Sequence, residues 1–216
     1  IRPSTLAITE KLYEGFVEKF NAHLTQYPYL LGGKPCLGDF GLMCPLYGHL
    51  GRDPVPHRLL QMRGPWIHRW VERMNRPEPD TGEYINLPHS FLQDDEVPET
   101  IIELLTHFAL DFVPETIASH SGINQWLEEN KPAIGAQCER YAGEAEFDVE
   151  GTAMHVCPQP FRFYLLERVQ SAIQALKGSD QADALALLDT CNMTAVLDLK
   201  LDRKIGRANN LEVWLD

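Results

Sequence analysis

The residues best placed to do chemistry by type and spacing are His49, Arg52 and Asp53. His49 and Asp53 are four apart, one turn on a helix. An imidazole and a carboxylate at that spacing can hold a metal ion or orient a proton carrier. The same three residues also suit a helix end. His and Arg in a last turn favour the helix dipole, and Asp53-Pro54 starts a turn. The ending is the stronger reading, so the cluster stays a secondary candidate. The other histidines, at 23, 57, 68, 89, 107, 120 and 155, show no ligand spacing, and no zinc site is expected. Cys36 falls at a helix start, where the dipole can lower a thiol pKa. Asp39, one turn on, would oppose a thiolate, and a structural role is favoured. No G-x-S-x-G, P-loop or GxGxxG string occurs, which argues against hydrolase, nucleotidase and dinucleotide chemistry. No catalytic, cofactor-binding or metal residue is therefore assigned.

The elements around these residues are helical. With Cys36 as N-cap, Asp39 is at N3, where a side chain can reach back to the N-cap N–H. Pro35 and Phe40 are spaced as a hydrophobic staple. Residues 4–26 carry Tyr13, Phe16, Val17, Phe20 and Leu24 on one helical stripe, with Ser4 as N-cap. Residues 36–51 form a second helix with Phe40, Met43, Leu46, Tyr47 and Leu50 on one face. Pro45 inside it predicts a kink or a widened stretch. A broken helix follows over 56–63 and 65–75, with Pro65 at N1 and Trp66, Trp70, Val71 and Met74 on its apolar side.

The string Tyr29-Leu30-Leu31-Gly32-Gly33-Lys34-Pro35-Cys36-Leu37-Gly38-Asp39-Phe40 resembles the signature that opens the central buried helix in the C-terminal domain of glutathione S-transferases. The resemblance runs through residues 42–50 and the Trp70–Met74 helix end, over about residues 5–76. The family has Ser or Thr where this chain has Cys36, and a thiol is a poor acceptor. Asp39 must then carry more of the helix start.

The resemblance implies a mainly α fold, a helical bundle of the transferase C-terminal type. It also implies a cytoplasmic parent protein. In that protein a thioredoxin-like N-terminal domain would bind glutathione and hold the catalytic residue. Nothing in this chain resembles that domain, and the start at Ile1 rather than Met suggests a fragment. The chain's share would be the wall that meets a small hydrophobic electrophile, and alone it would be inactive. The resemblance leaves room for a homodimer. Helical domains of this type also serve as non-catalytic interaction or assembly modules, which is the alternative reading.

Residues 77–98 are rich in prolines and acids and read as a loop between core helices 1–76 and an extension 99–216 packed on them as one domain. The extension should hold helices from Glu99 to His120, interrupted near Pro114, then over 123–130 and 132–141. A hairpin around Glu150-Gly151 should follow, then helices over 160–176 and from Ser179 to Leu188. In the first of these, Phe161, Leu165, Val169, Ala172, Ile173 and Leu176 fall in helical register. A turn and short strand at 209–214 should pair with the hairpin. This half resembles the long tail of a bacterial-type subgroup of the same family.

Composition sets the outer limits. Over 216 residues the formal net charge is −12, which argues against nucleic acid and anionic membrane surfaces as partners. No apolar run approaches a membrane span. Five cysteines with no CxxC pair suit a reducing compartment.

Overall fold

The computed structural model describes residues 3–76 and 83–216. They form seven α-helices and two separate two-stranded antiparallel sheets. The mainly helical class with a small β component in the second half is as expected. The chain divides into two compact units, residues 9–107, and residues 1–8 with 108–216. The expected loop over 77–98 lies inside the first unit, and its residues 77–82 are outside the described residues.

In the first unit, α1 (Leu6–His23) contributes its apolar stripe from Thr9 onward. Phe16, Val17, Phe20 and Leu24 are all buried, as 3.6-residue periodicity requires. Ser4 is not a cap. It sits inside a 3-10 turn, Pro3–Thr5, that leads directly into α1. The next helix, α2 (Leu37–Pro45), continues into a single π-helical turn, Leu46–Leu50. Pro45 has no N–H to give, and the ladder shifts to a wider spacing just after it. Of the residues expected on the buried face, Leu46 is fully inside while Phe40 is exposed.

Helices α3 (Pro54–Arg63) and α4 (Pro65–Met74) each begin with proline at the first position and are separated only by Gly64. The buried side of α4 is Ile67, Trp70, Val71 and Arg73, whereas Trp66 and Met74 are only half-buried. The ring of Phe20 meets Trp70 edge-on at 5.1 Å.

The long helix α5 (Glu99–Asn130) spans the division between the units. Neither Pro114 nor Ser121-Gly122 interrupts it, contrary to expectation. A proline removes only one ladder bond, and Ile101, Leu104, Ile123 and Leu127 are buried on either side of it. Helix 132–141 does not form. Gly135 adopts φ +79, and the segment pairs with the chain's last strand instead. Gly135 N–H donates to Trp214 O at 2.8 Å, Trp214 N–H to Ala136 O at 2.9 Å, and Cys138 N–H to Glu212 O at 2.8 Å.

The hairpin β1 (Ala145–Val149) and β2 (Thr152–Val156) is as the sequence indicates, with Glu150 and Gly151 both at positive φ. The tail strand β4 (Leu211–Trp214) pairs not with that hairpin but with β3 (Ile205–Ala208), through Asn209 and Asn210 at positive φ. Between the sheets lie α6 (Pro160–Ala175) and α7 (Ser179–Thr190), and Gly178 rather than Ser179 occupies the N-cap of α7. The register of α6 is also corrected. Phe163 and Gln170 face the core, while Phe161, Leu165 and Val169 are exposed. The core of this unit gathers Ile123, Leu127, Ala142, Phe163, Ile205 and Trp214, with Trp126 stacked on Trp214.

Gly143 and Gly151 share a left-handed backbone, φ +84 and +82, but a Cβ on Gly143 would lie 2.8 Å from the Gly122 carbonyl oxygen while one on Gly151 meets open space. Gly143→Ala should therefore destabilise the chain by about 1–2 kcal/mol more than Gly151→Ala. Thermal melts of the two variants check this, and equal midpoints would contradict the packing described.

Candidate functional site

The tightest concentration of polar chemistry surrounds Asp39, at the start of α2. The turn before it depends on glycine. Gly32 has φ +110, and a Cβ on Gly33 would fall 2.0 Å from the Pro88 carbonyl oxygen. This close approach lets Gly33 N–H donate to Ser90 O at 2.8 Å and Leu92 N–H to Leu31 O at 3.0 Å. The chain then enters α2 with the Asp39 side chain completely buried. Oδ2 accepts from Cys36 N–H at 2.8 Å. Oδ1 accepts from Leu30 N–H at 3.1 Å and from the Trp70 indole N–H at 3.3 Å.

Both halves of a capping box are in place, the carboxylate on the Cys36 N–H and the Cys36 side chain toward the Asp39 N–H. The sulfur half is the weak one, and the same N–H also donates to the Cys36 carbonyl at 3.1 Å. Burial raises the Asp39 carboxyl above its usual pKa, while the surrounding donors pull it back down. Burial likewise pushes the Cys36 thiol up, against a reactive thiolate. With three donors on its two oxygens, Asp39 is a structural acceptor. It offers nothing to a substrate.

The staple expected from Pro35 to Phe40 is loose. Pro35 is half-buried, but the Phe40 side is 58% exposed and Leu37 is 88% exposed. The carboxylate already fixes the chain's entry, so the first turn of α2 presents its apolar side chains outward.

His49, Arg52 and Asp53 do not assemble as a site. The His49 carbonyl accepts from Arg52 and Asp53 N–H at 2.9 and 2.8 Å, which closes the π turn. Asp53 occupies the N-cap position of α3 without a side-chain cap bond. The Arg52 guanidinium lies over the Tyr47 ring at 4.3 Å. What the fold does bring together is His57 on α3 and His68 on α4. Their Nε2 atoms are 3.1 Å apart and their rings are stacked at 5.1 Å.

One of these nitrogens must donate and the other accept, so the contact holds a single proton. Arg52, Tyr47 and Glu72 share the lining of the adjoining hollow of about 60 Å³, room for water and not for an organic substrate. The pair is eleven residues apart on two helices. Only the tight Gly64-Pro65 hinge hinted at it. Among the described residues no group of three His, Cys, Asp or Glu side chains is placed to hold a metal.

Two further buried polar residues went unassigned from sequence. His23 is fully enclosed. Its Nε2–H donates to Tyr29 O at 3.0 Å, and its Nδ1 lies 2.8 Å from Thr100 Oγ1. Burial pulls its pKa below the ordinary value. Arg73 donates to Pro28 O at 3.0 Å and to Glu83 at 3.3 Å, and its guanidinium lies over the rings of Tyr84 and Tyr29.

Compared with known proteins, the chain matches no family model, no curated protein and no solved structure. Among the described residues no helix is long and apolar enough to cross a membrane.

Removing the Asp39 carboxylate orphans three donors at once. Asp39→Ala should cost about 3 kcal/mol, whereas Cys36→Ser should be neutral or stabilising because it supplies a good acceptor. Urea titrations separate the two, and an unchanged midpoint in Asp39→Ala would contradict this arrangement. For His23 the sign follows from its lowered folded pKa. Between the ordinary value of 6.5 and that lower value, the unfolded chain binds a proton that the folded chain refuses. Stability should thus fall as pH falls through this window. His23→Gln should show a shallower loss than the wild type between about pH 7.5 and 5.5, and equal slopes would rule out His23 as the cause.

Proposed function

We infer that this chain is the helical part of a glutathione S-transferase-like protein. In this reading, α2 presents an apolar wall to a small hydrophobic electrophile. A thioredoxin-like domain beyond this chain binds glutathione and forms its thiolate, in a cytoplasmic setting. The observation that carries the reading is the buried Asp39, which caps α2 in the position the resemblance assigns to it. The outward Leu37 and Phe40 beside it are the apolar surface such a wall needs. The buried Asp39 and His23 of residues 9–107 are held by backbone groups and by the side chains of Trp70 and Thr100, which leaves neither free to activate a thiol.

The rival reading, a non-catalytic interaction module, draws on a different feature. Phe161, Leu165 and Val169 give α6 an exposed apolar stripe of the kind that partner proteins cover. Self-association of the chain that is lost in Leu165→Glu would favour that reading.

Two measurements test the enzyme reading. The 216-residue chain mixed with glutathione and 1-chloro-2,4-dinitrobenzene should form no conjugate above the uncatalysed rate. The unreactive analogue 1,3-dinitrobenzene should shift amide resonances at the start of α2, and Phe40→Asp should weaken that binding. Conjugation by the chain alone, or shifts confined to other elements, would overturn the assignment.

A further inference from the structure

A cavity lies wholly within the unit that carries the C-terminal half. It is a cleft of about 230 Å³ between one side of α6 and the chain running into β3. Phe163 and Ile205, both buried core residues, contribute its apolar floor. Gln170, only 5% exposed, stands in the α6 wall. Its amide nitrogen donates to Val196 O and Leu199 O, both at 2.9 Å. Both amide hydrogens are therefore committed, and this fixes the side chain and the loop opposite.

The opposing wall carries three cations, Lys200, Arg203 and Lys204. Arg203 is tied to the Pro132 carbonyl. The two lysines make no ion pair among the described residues. Their backbones are pinned, since Lys200 O accepts from the His120 ring at 2.8 Å and Lys204 O from Leu215 N–H at 2.8 Å. Glu167 is the only acid in the lining.

Around the cleft, Lys200, Arg203 and Lys204 stand against Glu167 and Asp202, which leaves it with a single net positive charge in a chain of net charge −12. A low-dielectric apolar wall focuses such a field on an incoming anion. The volume lies under the roughly 300–1,000 Å³ of pockets that hold drug-sized ligands, so the occupant is small.

We propose that the cleft between α6 and residues 199–205 binds a small carboxylate with an apolar body, its anionic end held by Lys200 and Lys204 and its apolar end on Phe163 and Ile205. The single negative charge of a carboxylate suits the site better than a phosphate dianion, because Glu167 stands on the same rim. The site uses none of residues 9–107 and is independent of the transferase reading.

The test is a titration of the full chain with 4-phenylbutyrate, followed by amide resonances. Saturable shifts should cluster at residues 163–174 and 199–205. The neutral analogue 4-phenylbutan-1-ol should bind at least about fivefold more weakly, and the double variant Lys200→Glu/Lys204→Glu should lose about tenfold in affinity. Ser171, exposed and in the lining, offers a route to block the cleft without touching the core. Ser171→Trp should abolish binding while leaving the melting curve unchanged. The proposal fails if phenylbutyrate gives no shifts up to about 10 mM, or if the shifts fall elsewhere. It fails equally if the alcohol binds as tightly as the acid, or if inorganic phosphate alone reproduces the shifts.

Discussion

The Asp39 carboxylate is the constraint around which residues 9–107 are arranged. A buried charge is tolerated only when its lone pairs are filled by well-placed donors. Here those donors come from three structural settings, Leu30 in the turn, Cys36 at the head of α2 and, from farther along the chain, Trp70 on α4. The indole that donates to Asp39 also meets the Phe20 ring of α1. One side chain therefore fixes the start of α2 and its approach to α4, and through Trp70 it reaches the apolar stripe of α1. The Gly32-Gly33 turn belongs to the same constraint, because it lets the chain pass against Pro88 and deliver the Leu30 N–H.

The same logic governs the segment between α1 and that turn. Residues 24–29 lack regular structure, so several of their carbonyls need partners from elsewhere. Leu24 O takes the Tyr84 hydroxyl, Pro28 O the Arg73 guanidinium and Tyr29 O the His23 imidazole. Arg73 and His23 are buried because they serve the backbone. A buried imidazole with a depressed pKa would suggest a catalytic base in another setting. Both ring nitrogens of His23 already face partners, Tyr29 O and Thr100 Oγ1, and this points to a structural role.

What the sequence made legible follows from how local each signal is. The α1 stripe, the proline-started helix α4 and the Glu150-Gly151 turn are encoded within a few residues, and all three formed. Asp39 was readable because a capping box is a four-residue pattern. Its third donor, Trp70, is thirty-one residues away and was not. Periodicity located α6 but pointed it the wrong way. Its apolar residues outnumber what one core can cover, and the packing chose the face with Phe163 and Gln170. The tail strand was read correctly, but its partner was not. Residues 205–208 are Ile, Gly, Arg and Ala, whose one large apolar residue makes no alternating pattern, and the Asn209-Asn210 turn is the local signal for the hairpin. The His57–His68 contact escaped for the same reason as Trp70. It is a product of two helices meeting, which no local window contains.

The two halves of the chain treat polar groups in opposite ways, and this bears on where binding can occur. In residues 9–107 the buried acid and imidazole are filled by neighbours, the Arg73 guanidinium is held through both terminal nitrogens, and the hollow beside the two histidines holds only water-sized volumes. A ligand reaching this unit must meet an apolar surface such as that of Leu37 and Phe40. In the unit with residues 108–216, Gln170 is satisfied, but Lys200 and Lys204 have no ion-pair partner among the described residues, above an apolar floor. Leaving cations unpaired at a concave site in an acidic protein forgoes the ion pairs that its 31 acidic residues could have supplied. Surface ion pairs contribute little to stability, about 0–1 kcal/mol each, so the fold loses almost nothing by this arrangement. A focused positive potential over an apolar floor, by contrast, raises the local concentration of small anions. The asymmetry therefore assigns structural work to the buried polar groups of the first unit and ligand recognition to the open cations of the second.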